Sequence, residues 1–154
     1  MNEAAELEFA GFWSRSGAAI IDTILLMLIT APILISIYGT DYFTSEKVVA
    51  GSWDFLISWV VPAFATILFW IYRAATPGKM AIKARILDAN TGNAASTGQL
   101  IGRYLAYFVS ILPFFLGIFW VAFDKRKQGW HDKLAGTVVV KNKDTGPEPV
   151  VFNN

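Results

Sequence analysis

The stretch that decides the fold is Gly17-Ala-Ala-Ile-Ile-Asp22-Thr-Ile-Leu-Leu-Met-Leu-Ile-Thr-Ala-Pro-Ile-Leu-Ile-Ser-Ile-Tyr38. Apart from Asp22 and a few hydroxyl groups it is apolar. It is long enough to cross about 30 Å of hydrocarbon as a helix, which takes roughly 17–25 residues. A soluble helix shows a regular polar face, and this stretch shows none. It therefore predicts a transmembrane helix that carries one carboxylate.

Two further stretches, residues 55–72 and 104–123, contain no charged residue. Of the 154 residues, 55% are hydrophobic and only 16% are charged, whereas soluble domains average about 25% charged residues. We therefore predict one domain, residues 1–154, that is an all-α membrane protein with three hydrophobic segments. The first ten residues contain three glutamates and no base, so we expect a retained anchor rather than a signal peptide.

The charged loops predict the orientation, because Lys and Arg are enriched in cytoplasmic loops. The first loop contains one base, Lys47, and the second contains four, which places the N-terminus in the cytoplasm. A third full span would then put a basic C-terminal tail outside, against the same rule. Either residues 100–123 form a re-entrant hairpin, broken near residues 110–113 and at Gly117, or the rule fails at the C-terminus.

Two short segments predict strands next to the membrane. Residues 84–88 are followed by turn residues at 89–92, and residues 136–140 are rich in valine. Unpaired strands would leave backbone groups without partners, so we expect the two to pair, which requires them to lie on one side. This favours the hairpin, a cytoplasmic C-terminus, and a small cytoplasmic β-hairpin-like element.

Asp22 is expected to have a partner, since a carboxylate at the bilayer centre costs roughly 2.5–3.5 kcal/mol. Arg15 is seven residues away, which is about 10 Å along a helix and too far for a direct pair. Arg103, Tyr107 and Ser110 form a polar stripe at a similar depth. We predict an Asp22–Arg103 ion pair or hydrogen-bonded network that includes Tyr107. It either locks helices together or forms a site for an ion, proton or polar solute.

The remaining polar motifs give weaker predictions. The tail segment predicts contact with lipid headgroups through Lys125, Arg126, Lys127 and Trp130. One histidine and no cysteine argue against a metal site at His131-Asp132, and we expect neither a metal nor another cofactor. Thr76-Pro-Gly-Lys79 has turn composition, and its glycine and lysine suit a phosphate, but the full phosphate-loop pattern is absent. A net charge of +1 without a basic, aromatic stripe predicts no nucleic-acid partner.

Three stretches together resemble the RDD family of bacterial and archaeal membrane proteins, which is named for one arginine and two aspartates. They are Phe9-Ala-Gly-Phe-Trp-Ser-Arg-Ser-Gly-Ala-Ala-Ile-Ile-Asp22, Thr76-Pro-Gly-Lys-Met-Ala-Ile-Lys-Ala-Arg-Ile-Leu-Asp88 and Gly129-Trp-His-Asp-Lys-Leu-Ala-Gly-Thr-Val-Val-Val140. The resemblance implies that Arg15 is the arginine, Asp22 the first aspartate, and Asp132, or else Asp124, the second. It also implies a prokaryotic cell (inner) membrane. A transport role is suspected for the family, and cation/proton exchange has been proposed for at least one member.

These observations leave three function classes. The first is transport of an ion or small solute by a polar cluster of Arg15, Asp22, Arg103, Tyr107 and Asp132; so few spans would require a homo-oligomer. The second is a non-enzymatic membrane module that assembles with a membrane partner protein or lipid, in which Asp22 and Arg103 are structural. The third, an enzyme, is not expected, because no nucleophile–base pair or paired carboxylates can be assembled.

Overall fold

A computed structural model describes residues 7–143 of the chain. Its longest element is helix α1, Phe12–Tyr38, which begins before the predicted start at Gly17 and ends where predicted. A helix suits this apolar sequence because it satisfies its backbone groups internally. α1 ends at Gly39, which has a φ of 79° and donates its N–H to the Ile35 carbonyl. Glycine adopts such a positive φ without strain.

The second long helix, Ser52–Arg73, contains one irregular turn. It consists of α2, Ser52–Phe55, a π-helical turn, Leu56–Val60, and α3, Val61–Arg73. The π turn lies just before Pro62, whose missing N–H removes one helix hydrogen bond. Within residues 7–143, this helix and α1 are the two unbroken helices that are long and apolar enough to cross a membrane.

The third hydrophobic segment is a bent pair of helices. α5, Thr97–Ile111, begins with a capping box in which the side chains of Ser96 and Gln99 each bond to the other's backbone. After a turn comes α6, Leu116–Phe119, and the axes before and after the break differ by 111°. The break lies where Pro113 and Gly117 predict it. The pair is either a broken span or a re-entrant loop.

The strands form an antiparallel sheet in the order β1-β3-β2. The predicted pairing is confirmed, since β2, Ala84–Asp88, pairs along its length with β3, Thr137–Asn142. The outer strand β1, Leu7–Phe9, was not predicted, because three residues are too few to show alternation. The fold is therefore mostly helical with a small three-stranded sheet, rather than all-α with a hairpin-like element.

The buried core lies where the sheet meets the helix ends, rather than between the long helices. It consists of Ala10, Trp70, Ala84, Ile86, Leu100 and Val139. Two short helices complete this end of the molecule: α4, Pro77–Ala81, and α7, Trp130–Ala135. By contrast, only 6% of the most apolar window of each long helix is buried within the protein.

Candidate functional site

Asp132, in the first turn of α7, is fully buried and lies at the centre of a polar cluster. Its Oδ2 accepts a hydrogen bond from Arg15 Nη1 at 2.5 Å and another from the Gly129 N–H at 2.9 Å. Its Oδ1 accepts a hydrogen bond from Arg103 Nη1. Charge-assisted bonds of this kind are among the strongest in proteins. One carboxylate therefore binds two guanidinium groups.

Arg15 connects the start of α1 to the segment before α7. Its Nε donates to the Ala10 carbonyl at 3.1 Å, and its Nη2 donates to the Lys127 carbonyl at 2.7 Å. Together with the Asp132 contact, these bonds engage three of its nitrogens. Arg15 thus fixes how the first helix enters this end of the molecule.

Arg103 projects from α5 into the same cluster and is fully buried. Its Nη1 also donates to Thr137 Oγ1 at 2.8 Å, and its Nη2 donates to Tyr107 Oη at 3.4 Å. Its guanidinium carbon lies 5.3 Å from the centroid of the Trp70 ring, a favourable cation–π distance. Arg103 therefore joins α5 to α7, β3 and the end of α3.

The electrostatics of the cluster keep Asp132 ionised. Burial raises the pKa of Asp132, but the positive charges of Arg103 and then Arg15 lower it, and the net pKa lies well below its ordinary value. A charged Asp132 neutralises only one of the two arginines. The cluster formed by these three groups therefore keeps one positive charge.

His131 lies beside the cluster and is neutral. Burial lowers the pKa of His131 to about 3, although the charge of Asp132 opposes this. Its Nδ1 lies 3.2 Å from Ser110 Oγ and its ring stacks on Tyr107 at 3.9 Å between centroids. Ser110 is fully buried and packs against Gly117, so it lacks the access that a nucleophile needs. The two contacts between Ser110 and His131 instead hold α7 against the bent helix pair.

The predicted Asp22–Arg103 ion pair is wrong. Asp22 Oδ2 accepts a hydrogen bond from Thr76 Oγ1 at 2.5 Å, and its Oδ1 accepts one from the Gly78 N–H at 2.7 Å. Asp22 thus binds the first turn of α4, where free N–H groups favour a negative charge. Arg103 pairs with Asp132 instead, because α7 folds back over the helix ends. Thr76-Pro-Gly is itself a helix-start pattern, and that signal was available in the sequence.

A cavity of about 400 Å³ lies next to the cluster, between α1, α3, α4 and α5. Its polar lining includes Asp22, Lys79 and Tyr107, and its apolar lining comes mainly from the long helices. Lys79 Nζ lies 6.0 Å from the centroid of the Trp70 ring, and burial lowers the pKa of Lys79. Tyr107 belongs to both the cavity and the arginine cluster, so the two are continuous.

The four residues expected to contact lipid headgroups differ in their surroundings. Lys125 is exposed. Arg126 Nη2 donates to the Ala89 carbonyl at 2.5 Å, and Lys127 Nζ donates to a nearby carbonyl at 3.3 Å. Trp130 is half-buried, with its ring centroid 6.4 Å from that of Trp120. Lipid contact by these residues stays a prediction.

Within residues 7–143, no three His, Asp or Glu side chains converge in a way that would hold a metal ion. Asp132 is occupied by two arginines, and Asp22 by two donors of α4. The polar groups that line the cavity are therefore an amine, hydroxyl groups and a carboxylate that α4 already engages.

The protein belongs to the class of membrane-type proteins whose apolar helices are long enough to cross a bilayer. A mostly buried arginine–aspartate cluster joins these helices at one end. The chain belongs to the RDD family, whose sequence model matches residues 9–136. It is 36% identical over 116 residues to the uncharacterized protein RP437 of Rickettsia prowazekii, covering 70% of this chain and 64% of that protein. It is 30% identical over 147 residues to the uncharacterized protein YxaI of Bacillus subtilis, covering 85% and 96%. No solved structure matches the chain.

Proposed function

We propose that this RDD-family chain is an integral protein of the prokaryotic cell membrane that transports an ion or small solute. The observation that carries the proposal is the cavity between α1, α3, α4 and α5, whose volume of about 400 Å³ is typical of small-molecule sites. Polar groups of Asp22, Lys79 and Tyr107 meet there between otherwise apolar helices. Polar and ionisable groups in such positions commonly mark solute pathways.

In this proposal Arg15, Asp22, Arg103 and Asp132 build the site rather than bind the solute. Each of the four has its charged group engaged by protein donors or acceptors. The arginine cluster holds the ends of α1, α5 and α7 together, and Asp22 holds α4 against α1. α4 carries Lys79, so the position of Asp22 determines where the lysine enters the cavity. The arginine and the two aspartates for which the family is named would then have a structural role on which transport depends.

The proposed orientation places both termini in the cytoplasm, with residues 97–123 entering the membrane and returning. The sheet supports it, because β1 precedes α1, β2 precedes α5, and β3 follows α7, yet β3 pairs with both β1 and β2. If α1 and the helix Ser52–Arg73 each cross once, the sheet needs residues 97–123 to come back to the side they left. The charge of the loops agrees with this arrangement.

A homo-oligomer is part of the proposal. Only 6% of each long apolar window is buried within one chain, so lipid or other chains cover the rest. A second copy would enclose the cavity more fully than lipid does. Native mass spectrometry from lipid nanodiscs should therefore give a multiple of the chain mass, and a monomer would favour the alternative of a module that assembles with a different membrane protein or with lipid.

The transport proposal is tested with purified protein in liposomes that contain a pH-sensitive dye. Gradients of Na⁺, K⁺ and organic anions of short and medium chain length are applied in turn, and internal pH and tracer uptake are followed. Ala65→Phe, on the cavity wall of α3, should fill the site and abolish most of the flux. Val61→Phe, on the same helix but with its side chain more than half exposed, is the matched control and should transport normally.

Two results would contradict the proposal. One is a wild-type protein that moves none of the solutes above the level of empty liposomes. The other is an Ala65→Phe variant that assembles and transports as well as Val61→Phe, since a filled cavity would then make no difference.

A further inference from the structure

Lys79 lines the cavity but takes no part in the cluster of Arg15, Arg103 and Asp132, so its role has still to be explained. It sits on α4, which the Thr76 and Gly78 contacts hold against α1 through Asp22. Its ammonium group lies near the Trp70 ring, and both residues line the cavity. A lysine in an apolar setting is costly unless an opposite charge accompanies it.

The charges around the cavity leave one positive charge without a carboxylate. Three cations, Arg15, Arg103 and Lys79, face two carboxylates, Asp132 and Asp22. Asp132 is bound by both guanidinium groups. Asp22 is bound by the hydroxyl and backbone N–H of the α4 turn, and the neighbouring histidine is neutral. The group therefore carries one net positive charge. Among the described residues Lys79 forms no salt bridge with either carboxylate, so a ligand can supply the balancing anion next to it.

The same end of the cavity is rich in hydrogen-bond donors. The indole N–H of Trp70 is buried and has no partner among the described residues, and Trp70 lines the cavity. Tyr107 Oη accepts a bond from Arg103, which leaves its own proton free to donate. Buried donors normally have acceptors, and an anionic oxygen would be a strong one.

The far walls of the cavity are apolar. Leu25, Leu26 and Ile29 line it from the part of α1 beyond Asp22, and Phe69 lines it from α3. A ligand that places an anionic group near Lys79 would therefore lie with the rest of its length against hydrocarbon side chains. Burial of apolar surface there adds to the affinity.

We propose that the cavity binds an organic anion with an apolar tail, such as a medium-chain carboxylate, with its head at Lys79 and its tail between α1 and α3. The inference rests on the proposed function, for which it names the class of solute. It commits the site to an amphiphilic anion rather than to a free cation or a small inorganic anion.

The test uses decanoate as the probe and the whole protein in phosphatidylcholine nanodiscs, with empty nanodiscs subtracted. Binding is measured by calorimetry for decanoate, for decanol and for decyltrimethylammonium, which share one tail. Decanoate should bind at least about tenfold more tightly than decanol, as a charge-assisted hydrogen bond provides. Equal affinity for decanoate and decanol would overturn the proposal, and so would tighter binding of the cation. Acetate should bind far more weakly, and equal binding of acetate would overturn the role of the tail.

Variants of Lys79 locate the effect. Lys79→Met should remove the preference for decanoate over decanol, whereas Lys79→Arg should keep most of it. Lys83→Met, at an exposed lysine four positions along the chain, is the matched control and should bind as the wild type does. A folded Lys79→Met variant that keeps the preference would overturn the proposal. If Lys79→Met does not fold, the comparison of decanoate with decanol on the wild type and on Lys79→Arg still tests the proposal.

Failure of the inference is distinct from failure of the transport proposal. Decanoate preference without any flux in liposomes would leave a binding site and contradict transport. Flux of another solute that Ala65→Phe blocks, without decanoate preference, would support transport and overturn the anion site.

Discussion

Asp132 explains how two arginines can share one buried site at the end of the apolar helices. Its two oxygens accept hydrogen bonds from Arg15 and Arg103 separately. Burial of any one of these charges alone would be unfavourable, and the grouping becomes acceptable because both oxygens of Asp132 and the Nη atoms of both arginines gain partners. The three residues come from α1, α5 and α7, so the charges also determine how these helices meet.

We expect Asp132→Ala to lower the free energy of unfolding by about 3–5 kcal/mol, because two guanidinium groups would remain buried without their carboxylate. Asp132→Asn should cost less, since its amide oxygen still accepts one bond. Unfolding in detergent micelles, followed by circular dichroism, measures both. Asp41→Ala, at an exposed aspartate, is the control and should change stability little. An Asp132→Ala variant as stable as this control would contradict the role of the cluster.

The pH dependence of stability gives the same prediction a second check. Since the folded-state pKa of Asp132 is lower than the ordinary value of 3.8, its stabilising contribution is present above that value and is lost as the pH falls below it. The wild type should therefore lose more stability than Asp132→Asn between neutral pH and the acid range. Equal losses in the two proteins would show that Asp132 contributes no such linkage.

The sequence predicted the polar residues better than their partners. Helical spacing placed Arg103 next to Tyr107, and the two side chains are 3.4 Å apart. The cost of a buried carboxylate correctly required partners for Asp22. Which partners it has depends on a loop helix that folds back on α1, and residue spacing within α1 carries no information about that. An arginine side chain was expected as the partner of Asp22, and a threonine hydroxyl and a backbone N–H are found instead.

At the scale of elements, α4 shows how a five-residue helix is held in place. It is too short to be stable by itself, and it lies against α1 at a point where both helices have small residues. A Cβ atom on Gly78 would lie 2.0 Å from the Ala18 carbonyl oxygen and 2.9 Å from Asp22 Cγ. Only glycine permits this approach, and the approach is what brings its N–H to Asp22.

We therefore expect Gly78→Ala to separate α4 from α1 and to destabilise the protein by several kcal/mol, comparable to severe overpacking of a core. It should also weaken decanoate binding, because Lys79 moves with α4. Gly98→Ala is the matched control: a Cβ there meets only Ser96 Oγ at 4.0 Å, and alanine favours the helix more than glycine does. Thermal unfolding of the two variants makes the comparison, and similar stability would contradict the tight contact.

The elements themselves could be predicted where one physical signal dominates. Apolar length predicted α1 and the helix Ser52–Arg73, and Pro113 and Gly117 predicted the break in the third segment. The short strand β1 could not be predicted, because its pairing with β3 depends on contacts distant in sequence. The π turn before Pro62 was likewise invisible, as proline in a long helix is compatible with several local adjustments.

At the scale of the whole molecule, the sheet connects segments that lie far apart along the chain. β3 pairs with β1 on one side and with β2 on the other, so the start of α1, the start of α5 and the end of α7 lie close together. The sequence alone left two topologies open, because the length of the third segment favoured a crossing while its flanking charges favoured a return. Strand pairing is a third, independent constraint, and it supports the return.

The proposed topology predicts a specific labelling pattern, which the absence of cysteine from the chain makes straightforward to measure. Single cysteines are introduced as Val48→Cys in the first loop, Phe114→Cys at the turn of the bent pair and Lys125→Cys after it. A membrane-impermeant maleimide is applied to intact cells and to inverted vesicles. Val48 and Phe114 are 83% and 93% exposed within the chain, so any protection they show comes from the membrane or from another chain.

We expect Val48→Cys to react only from outside and Lys125→Cys only from the cytoplasm, because the sheet keeps β3 beside β1, which precedes α1. Phe114→Cys should react from neither side until detergent dissolves the membrane, since a returning pair buries its turn in hydrocarbon. Lys83→Cys, in the second loop, is the control for the cytoplasmic side. Labelling of Lys125→Cys from outside would mean that the bent pair crosses. The three strands could then pair only if α1 and the helix Ser52–Arg73 did not both cross the membrane. That result would contradict the proposed orientation.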